Sequence, residues 1–392
     1  MASGVAATFF YYAFLFGRRG NNWLFATFAV LVITAEIFLR VAGTFEVSHP
    51  TIEWRQPQPY FMFSGPLGQT VSMSRSMGGS DSDRITNFNQ HGFRIAGEVV
   101  KPKPANEVRI FVLGGSTVIM GAPLSKTIPG VIETQLRSAG LEQVRVYNFG
   151  VVGFVSGQQL SLLVHHLAAL EPDLVIAYDG GNDLYEPWLY DPRPGYPFNF
   201  FAWEAEIAPI RRLSTRTISD VSEDSALGRF LLDPKEQQQR GALRALRQQV
   251  EFGTTNWKRK IVEAYVANVV ATCRFSRSNS FLFAEFFQPT LHFSLNLEPG
   301  QVKLAGGEQL IQGMRSQRAG VLAALANGIP LNDPGCRFSD LSRTFETQGS
   351  ERYWDLIHID NRGNEVIGKR IAEELLMWEI FRKRVRSVEA KR

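Results

Sequence analysis

Apolar residues in this chain concentrate in short runs separated by longer stretches of mixed polarity. Four runs are compact and end in turn-forming residues: Arg109 to Gly115 (RIFVLGG), Val144 to Phe149 (VRVYNF), Asp173 to Tyr178 (DLVIAY) and Ser280 to Phe287 (SFLFAEFF). Such runs predict strands buried on both faces, as in a parallel sheet. Phe338 to Leu341 reads as a shorter fifth strand. Between them the apolar spacing is helical. Helices are expected over Thr127 to Ala139 with Gly140 as the stop, from Ser156 as N-cap to Glu171 before Pro172, and over Trp257 to Cys273, Gly306 to Leu325 and Asn361 to Phe381. Strands alternating with helices predict an α/β protein with a doubly wound parallel sheet.

One run is of a different kind. Trp23 to Leu39 (WLFATFAVLVITAEIFL) holds a single charge, Glu36, in seventeen residues. That is the short end of a bilayer span, and residues 41 to 43 extend it if Arg40 snorkels. Arg18 and Arg19 precede it, and Trp23 stands where an interfacial aromatic belongs. We read residues 23–43 as an uncleaved signal-anchor helix, with residues 1–22 cytoplasmic or interfacial and the body exported to the periplasmic or extracellular side. A cleaved signal peptide ending at Val41-Ala42-Gly43 is the rival, against which stands the long segment before the apolar run. Residues 44–105, rich in Gly, Ser, Pro and Asn, form a lead-in packed on the main domain of residues 106–381. Residues of about 189–254 break the strand–helix rhythm with aromatics, prolines and then QQQRGALRALRQQ. They read as an insertion, helical at its end, over the active face. Residues 382–392 form a basic tail.

Composition changes this picture little. Of 392 residues, 44% are hydrophobic and 20% charged, an ordinary globular balance. The net charge of +4 is misleading, because Arg382 to Arg392 holds six Lys/Arg and one Glu, a local +5 that leaves −1 for the rest. No basic surface is expected on the body, and nothing suggests a nucleic-acid groove. The tail reads as a frayed, solvated helix end, with attraction to anionic lipid as the lesser reading. Cys273 and Cys336 have no metal-ligand spacing, so no zinc site is expected. They are either one disulfide in an oxidising compartment or two buried thiols.

The chemistry concentrates beyond the carboxyl ends of the strands, where a doubly wound sheet places its site. Gly114-Gly115-Ser116-Thr117 follows the first strand and opens a helix, where a serine hydroxyl can attack and its own amide can help hold an oxyanion. Asn148-Phe149-Gly150-Val151-Val152-Gly153 follows the second, and Gly153 can present a bare N–H. Gly180-Gly181-Asn182-Asp183 follows the third, and Asn182 can donate its side-chain amide. Near the C-terminus, Asp355 stands three residues before His358, close enough to hold Nδ1 and leave Nε2 as a base. Each feature alone is more often a turn or a cap. Together they supply a nucleophile, three oxyanion donors (Ser116, Gly153, Asn182) and an oriented base.

This ordered set resembles the four blocks of the SGNH/GDSL hydrolase superfamily, with Gly-Gly-Ser in place of Gly-Asp-Ser at Ser116. Gly153 matches the second block, Gly180-Gly181-Asn182-Asp183 the third, and Asp355 with His358 the last. Asn89-Gln90-His91-Gly92-Phe93-Arg94 is similar to the lead-in of membrane-anchored bacterial members. The likeness covers roughly residues 85 to 380 apart from the insertion. Val118-Ile119-Met120 is more apolar than the family pattern. The resemblance implies a flavodoxin-like sheet of about five strands, no cofactor and no metal. It implies ester hydrolysis by Ser116, His358 and Asp355 through an acyl-enzyme, with a glycan O-acetyl ester as the leading substrate. Two alternatives are an O-acyltransferase with the same triad and a non-catalytic cell-envelope assembly or glycan-binding protein. His91, His165 and His166 read as structural or surface residues. Trp188, Tyr190, Tyr196 and Trp203 are either a sugar- or acyl-binding cluster or the insertion's own core.

Overall fold

The computed structural model describes residues 22–41, 55–72, 85–198, 200–207, 234–328, 333–346 and 352–390. The chain divides into two compact units. The first comprises Met1–His49 and Asn199–Gln248. Its described part is helical, over Asn22–Val41, Phe200–Ile207 and all but the last residue of the helix Pro234–Gln249. The helix Asn22–Val41 coincides closely with the expected anchor. Among the described residues, no helix is long and apolar enough to cross a membrane. The side chains of that helix are described only from residue 27 to residue 38. The expected segment 1–22 lies outside the described residues except for its last position, as do residues 42–54, 73–84 and 208–233.

The second unit, Pro50–Phe198 and Gln249–Arg392, carries the sheet and takes in residues 189–198 and 249–254, which the sequence pattern gave to the insertion. Its lead-in forms two antiparallel pairs. Strand β1 (Gln56–Gln58) pairs with β2 (Met62–Ser64), and β3 (Thr70–Ser72) with β4 (Ile85–Asn87). The main sheet follows as β5 (Val108–Gly114), β6 (Val144–Gly150), β7 (Leu174–Asp179), β8 (Leu282–Phe287) and β9 (Cys336–Asp340). All four pairings are parallel, in the order β6-β5-β7-β8-β9. That is the flavodoxin-like order, with its switch point between β5 and β7.

The continuous apolar runs follow from burial on both faces. Every residue of β5 and β7 is buried. On one face, Ile110, Val112, Ile176 and Phe286 pack with Ile128, Ile132, Ile367 and Ile371 from helices Ile128–Ser138 and Asn361–Met377. Helix Thr255–Ser278 packs with Ser156–Leu162 on one side, with Glu308–Gly328 on another, and lies on β8. Helix starts are set by local caps. Thr127 accepts from the Gly130 amide at 3.2 Å, Thr254 from Trp257 at 3.2 Å and Asp360 from Gly363 at 2.6 Å. Cys273 and Cys336 form a disulfide between helix Thr255–Ser278 and β9, which resolves the open alternative.

Three expectations need correction. Ser156 does not cap its helix; Val155 is the cap position and Ser156 the first helical residue. The segment to Glu171 is not one helix. It passes from Ser156–Leu162 through a wider turn at Leu163–Leu167 to a tighter one at Ala168–Leu170, ending at a left-handed Glu171. The closing helix stops at Met377 and the tail is no frayed end. Helix Glu379–Glu389 buries Phe381, Val385 and Val388. Arg384 donates to the buried Asp173 carboxylate and to the Ser280 carbonyl, both at 3.1 Å. The charge count hid an apolar stripe at spacing of three and four residues.

Candidate active site

β5 delivers Ser116 to the switch point. The chain turns sharply because two positions admit no side chain. Gly114 has φ +154°, and a Cβ there would lie 2.5 Å from the Tyr178 carbonyl oxygen. A Cβ on Gly115 would lie 2.4 Å from Asn182 Nδ2. Ser116 then opens the single helical turn Ser116–Ile119. The next residues are clamped. Asn148 Nδ2 donates to the Val118 carbonyl at 2.9 Å, Arg94 Nη1 to that of Ile119, and Asn364 Nδ2 to that of Met120 at 3.0 Å. This gives the Asn-x-x-Gly-Phe-Arg stretch its task. Asn89 Oδ1 accepts from the Phe93 amide at 2.9 Å, and the Phe93 ring meets Phe149 edge-on at 5.0 Å. Arg94, buried, is thereby delivered beneath the nucleophile turn, and burial lowers its pKa to about 10. Val118 and Ile119 are apolar because both are buried.

The C-terminal loop brings His358 to the serine. An antiparallel bridge between Tyr353 and Ile359, both buried, closes the loop. Asp355 Oδ1 accepts the amides of Ile357 at 2.9 Å and His358 at 2.7 Å, which fixes the carboxylate. Its Oδ2 lies 2.6 Å from His358 Nδ1, and His358 Nε2 lies 2.7 Å from Ser116 Oγ. Burial alone would raise the Asp355 pKa, but the hydrogen bonds and charge of His358, with the two amides, outweigh it and lower the pKa. An ionised Asp355 assigns the proton to Nδ1 and leaves Nε2 to accept from the hydroxyl.

The remaining loops arrive stapled together. Asn182 follows the left-handed Gly180 and donates from Nδ2 to the Phe154 carbonyl at 2.8 Å, next to Gly153. An amide NH₂ carries two donors, so one is left for a ligand. Asp183 accepts the Ser156 amide at 3.1 Å and its hydroxyl at 2.5 Å. Gly153 has φ +77°, and a Cβ there would meet Arg55 Nη2 at 2.8 Å. Thr117 Oγ1 donates to Gln288 Oε1 at 3.1 Å, linking the nucleophile turn to the end of β8.

All five sequence-predicted site residues therefore lie around one turn. Reasoning from sequence missed several of their supports. Gln288 carried only a strand-end signal, and Arg55 none. Arg55 is buried, with its guanidinium over the Phe63 and Phe198 rings at 5.0 and 4.1 Å. His91 is exposed, 3.8 Å from Glu98. His165 stacks on Tyr60 at 4.1 Å, and His166 meets Phe61 edge-on at 5.0 Å. Trp188 is core: its Nε1 donates to Gln317 at 2.9 Å and its ring packs on Trp257 at 4.8 Å. Among the described residues, no group of three or more His, Cys, Asp or Glu is arranged to hold a metal ion.

Fold and site together define an α/β protein with a hydrogen-bonded serine, histidine and aspartate at the carboxyl end of a parallel sheet. No family model matches the chain, and no curated protein matches it. Solved structures do show a likeness. A lipase from a goat rumen metagenome is 12% identical with a TM-score of 0.40, covering 68% of this chain and 97% of that one. A catalytic mutant of an acetylxylan esterase from Geobacillus stearothermophilus is 12% identical with a TM-score of 0.39, covering 68% and 94%. A GDSL-like lipase from Bacteroides thetaiotaomicron is 13% identical with a TM-score of 0.36, covering 70% and 92%. At these values the functional reading rests on the geometry of the site.

Proposed function

We propose that the protein is a serine esterase of the SGNH/GDSL type, held at a membrane by residues 23–43 with its hydrolase domain on the exported side. The observation that carries the chemistry is the unbroken chain from Asp355 through His358 to Ser116, with separations of 2.6 and 2.7 Å. His358 Nε2 takes the hydroxyl proton as Ser116 Oγ bonds to the ester carbonyl carbon. The Ser116 and Gly153 amides and the Asn182 side chain hold the resulting oxyanion. Collapse breaks the carbon–alkoxide bond, His358 returns the proton to the departing alcohol, and an acyl-serine remains. Water, deprotonated by the same imidazole, attacks that ester; the bond from the acyl carbon to Ser116 Oγ breaks, His358 returns the proton to Oγ, and the carboxylic acid leaves.

A glycan O-acetyl ester is the proposed substrate. Support for the tether is the helix Asn22–Val41, on which Phe28, Val30, Leu31, Ile33, Ile37 and Phe38 are all exposed. Apolar side chains so arranged need a covering phase or partner. The disulfide supports export, since such bonds persist in oxidising compartments.

Fluorophosphonate labelling of the full chain in detergent tests the reading without knowledge of the substrate. Wild type is expected to label, and the S116A and H358A variants are not. A folded wild type that does not label would overturn it.

A further inference from the structure

We infer that Trp354 is a positioning residue for His358, acting through the face of its indole; this rests on the reading of His358 as general base. The two rings are stacked, with centroids 4.7 Å apart and planes within 11°. Both imidazole nitrogens are already engaged, Nδ1 with Asp355 and Nε2 with Ser116. Two in-plane hydrogen bonds define an axis about which the ring can still roll. A flat partner against its face stops that motion and keeps Nε2 aimed at the hydroxyl.

Trp354 is itself fixed from two sides. Its amide donates to the His358 carbonyl at 3.2 Å, and its side chain packs against the small apolar cluster of Phe88 and Ile119. The lead-in and the turn after Ser116 each contribute to that apolar seat. Among the described residues, the indole Nε1 is buried without a hydrogen-bond partner. An unpaired buried N–H is a cost that leucine or phenylalanine would avoid. What tryptophan offers in return is the largest and most electron-rich ring face. When His358 takes the Ser116 proton, a positive charge appears over that face. The attraction exists in the transition state and not in the resting enzyme, so it accelerates the step.

The experiment replaces Trp354 alone, one of seven tryptophans, with tryptophan analogues bearing one to four ring fluorines in the full chain. Fluorination drains the ring face with little change of shape. The readout is the second-order rate of fluorophosphonate labelling at Ser116. The rate is expected to fall stepwise with fluorine number, by roughly threefold to thirtyfold over the series, with thermal stability unchanged. W354F, which keeps a ring face, is expected to retain more of the rate than W354L. Labelling at a rate flat across the series would overturn the inference and leave the esterase reading standing. Failure of the unsubstituted protein to label would overturn both.

Discussion

The Asp183 carboxylate holds Ser156 twice, accepting its amide at 3.1 Å and its hydroxyl at 2.5 Å. The pair joins the turn that carries Asn182 to the loop that carries Gly153, so the two proposed oxyanion donors share one support. Removing the carboxylate leaves a buried N–H and O–H with nothing to bind. D183A is expected to lose about 1–3 kcal/mol of stability, the scale for leaving a buried donor unpaired. It should also slow fluorophosphonate labelling under conditions where it is still folded. Urea denaturation and labelling kinetics read the two effects separately. Unchanged labelling in the folded variant would show that the staple does not position the donors.

The same carboxyl gives stability a pH dependence. Burial, with Asp179 adding to it, raises the Asp183 pKa from 3.8 to about 7. Burial likewise raises Asp179, Glu186 and Glu285. A raised carboxyl binds its proton more tightly in the folded state. Between its unfolded and folded values the folded protein holds more protons, and stability falls as pH rises. The contribution from Asp183 is fully present below about pH 4 and is lost as pH rises through about 7. The lowered Asp355 works in the opposite sense, but its contribution is lost only as pH falls below its ordinary value of 3.8. Burial lowers His292 to about 4 and also lowers His166, and both work in the opposite sense over this range. The Asp183 part is therefore read by comparison: between about pH 5 and pH 7.5 the melting temperature of wild type is expected to fall relative to that of D183N, which cannot ionise.

Loss of catalytic groups is expected to be unequal. S116A removes the proposed nucleophile and H358A the proposed base, and either should abolish turnover to background. D355A leaves both and loses only orientation and charge. Its rate is expected to be reduced severely, yet to remain on the order of a hundredfold above that of S116A, by analogy with the unequal losses in other serine triads. The check is steady-state hydrolysis of an activated acetyl ester by the three variants at matched folded fraction. A D355A rate equal to wild type would remove Asp355 from the proposed mechanism.

Asn182 can be tested apart from the triad. Its Nδ2 is oriented by the Phe154 carbonyl at 2.8 Å and lies over Gly115. N182A is expected to lower kcat by roughly a hundredfold to a thousandfold with little change in KM, because an oxyanion donor acts in the transition state. A loss confined to KM would place Asn182 in ground-state binding instead.

Much of this was legible before the structure, for identifiable reasons. β5 and β7 are buried along their whole length, so their sequences are nearly pure apolar runs. Ser116, Gly153, Asn182 and the Asp355–His358 pair each follow a strand or precede a helix, where local signals are strong. What was not legible depends on partners distant in sequence. Ser156 looks like a cap by its neighbours, but its hydroxyl goes to Asp183, 27 residues on. Thr117 and Gln288 are 171 residues apart. The tail was misread because its charges dominate the count, while Phe381, Val385 and Val388 decide where it packs.

The disulfide should matter for stability and not for chemistry. Cys273 and Cys336 are 63 residues apart and tie helix Thr255–Ser278 to the start of the edge strand β9. An edge strand has one hydrogen-bonded neighbour, here β8, so a covalent tie there restrains one of the two least supported strands of the sheet. Closing a loop of this length removes conformational freedom from the unfolded chain, about 4 kcal/mol by the chain-entropy relation. Reduction, or the C273A/C336A double variant, is expected to lower the urea midpoint by an amount of that order or less. The triad should persist, since Ser116 and His358 are positioned by β5, by the Tyr353–Ile359 bridge and by helix Asn361–Met377. Labelling rates at 25 °C should be equal in oxidised and reduced protein. A reduced protein that is folded by circular dichroism yet fails to label would show that β9 supports the catalytic loop directly.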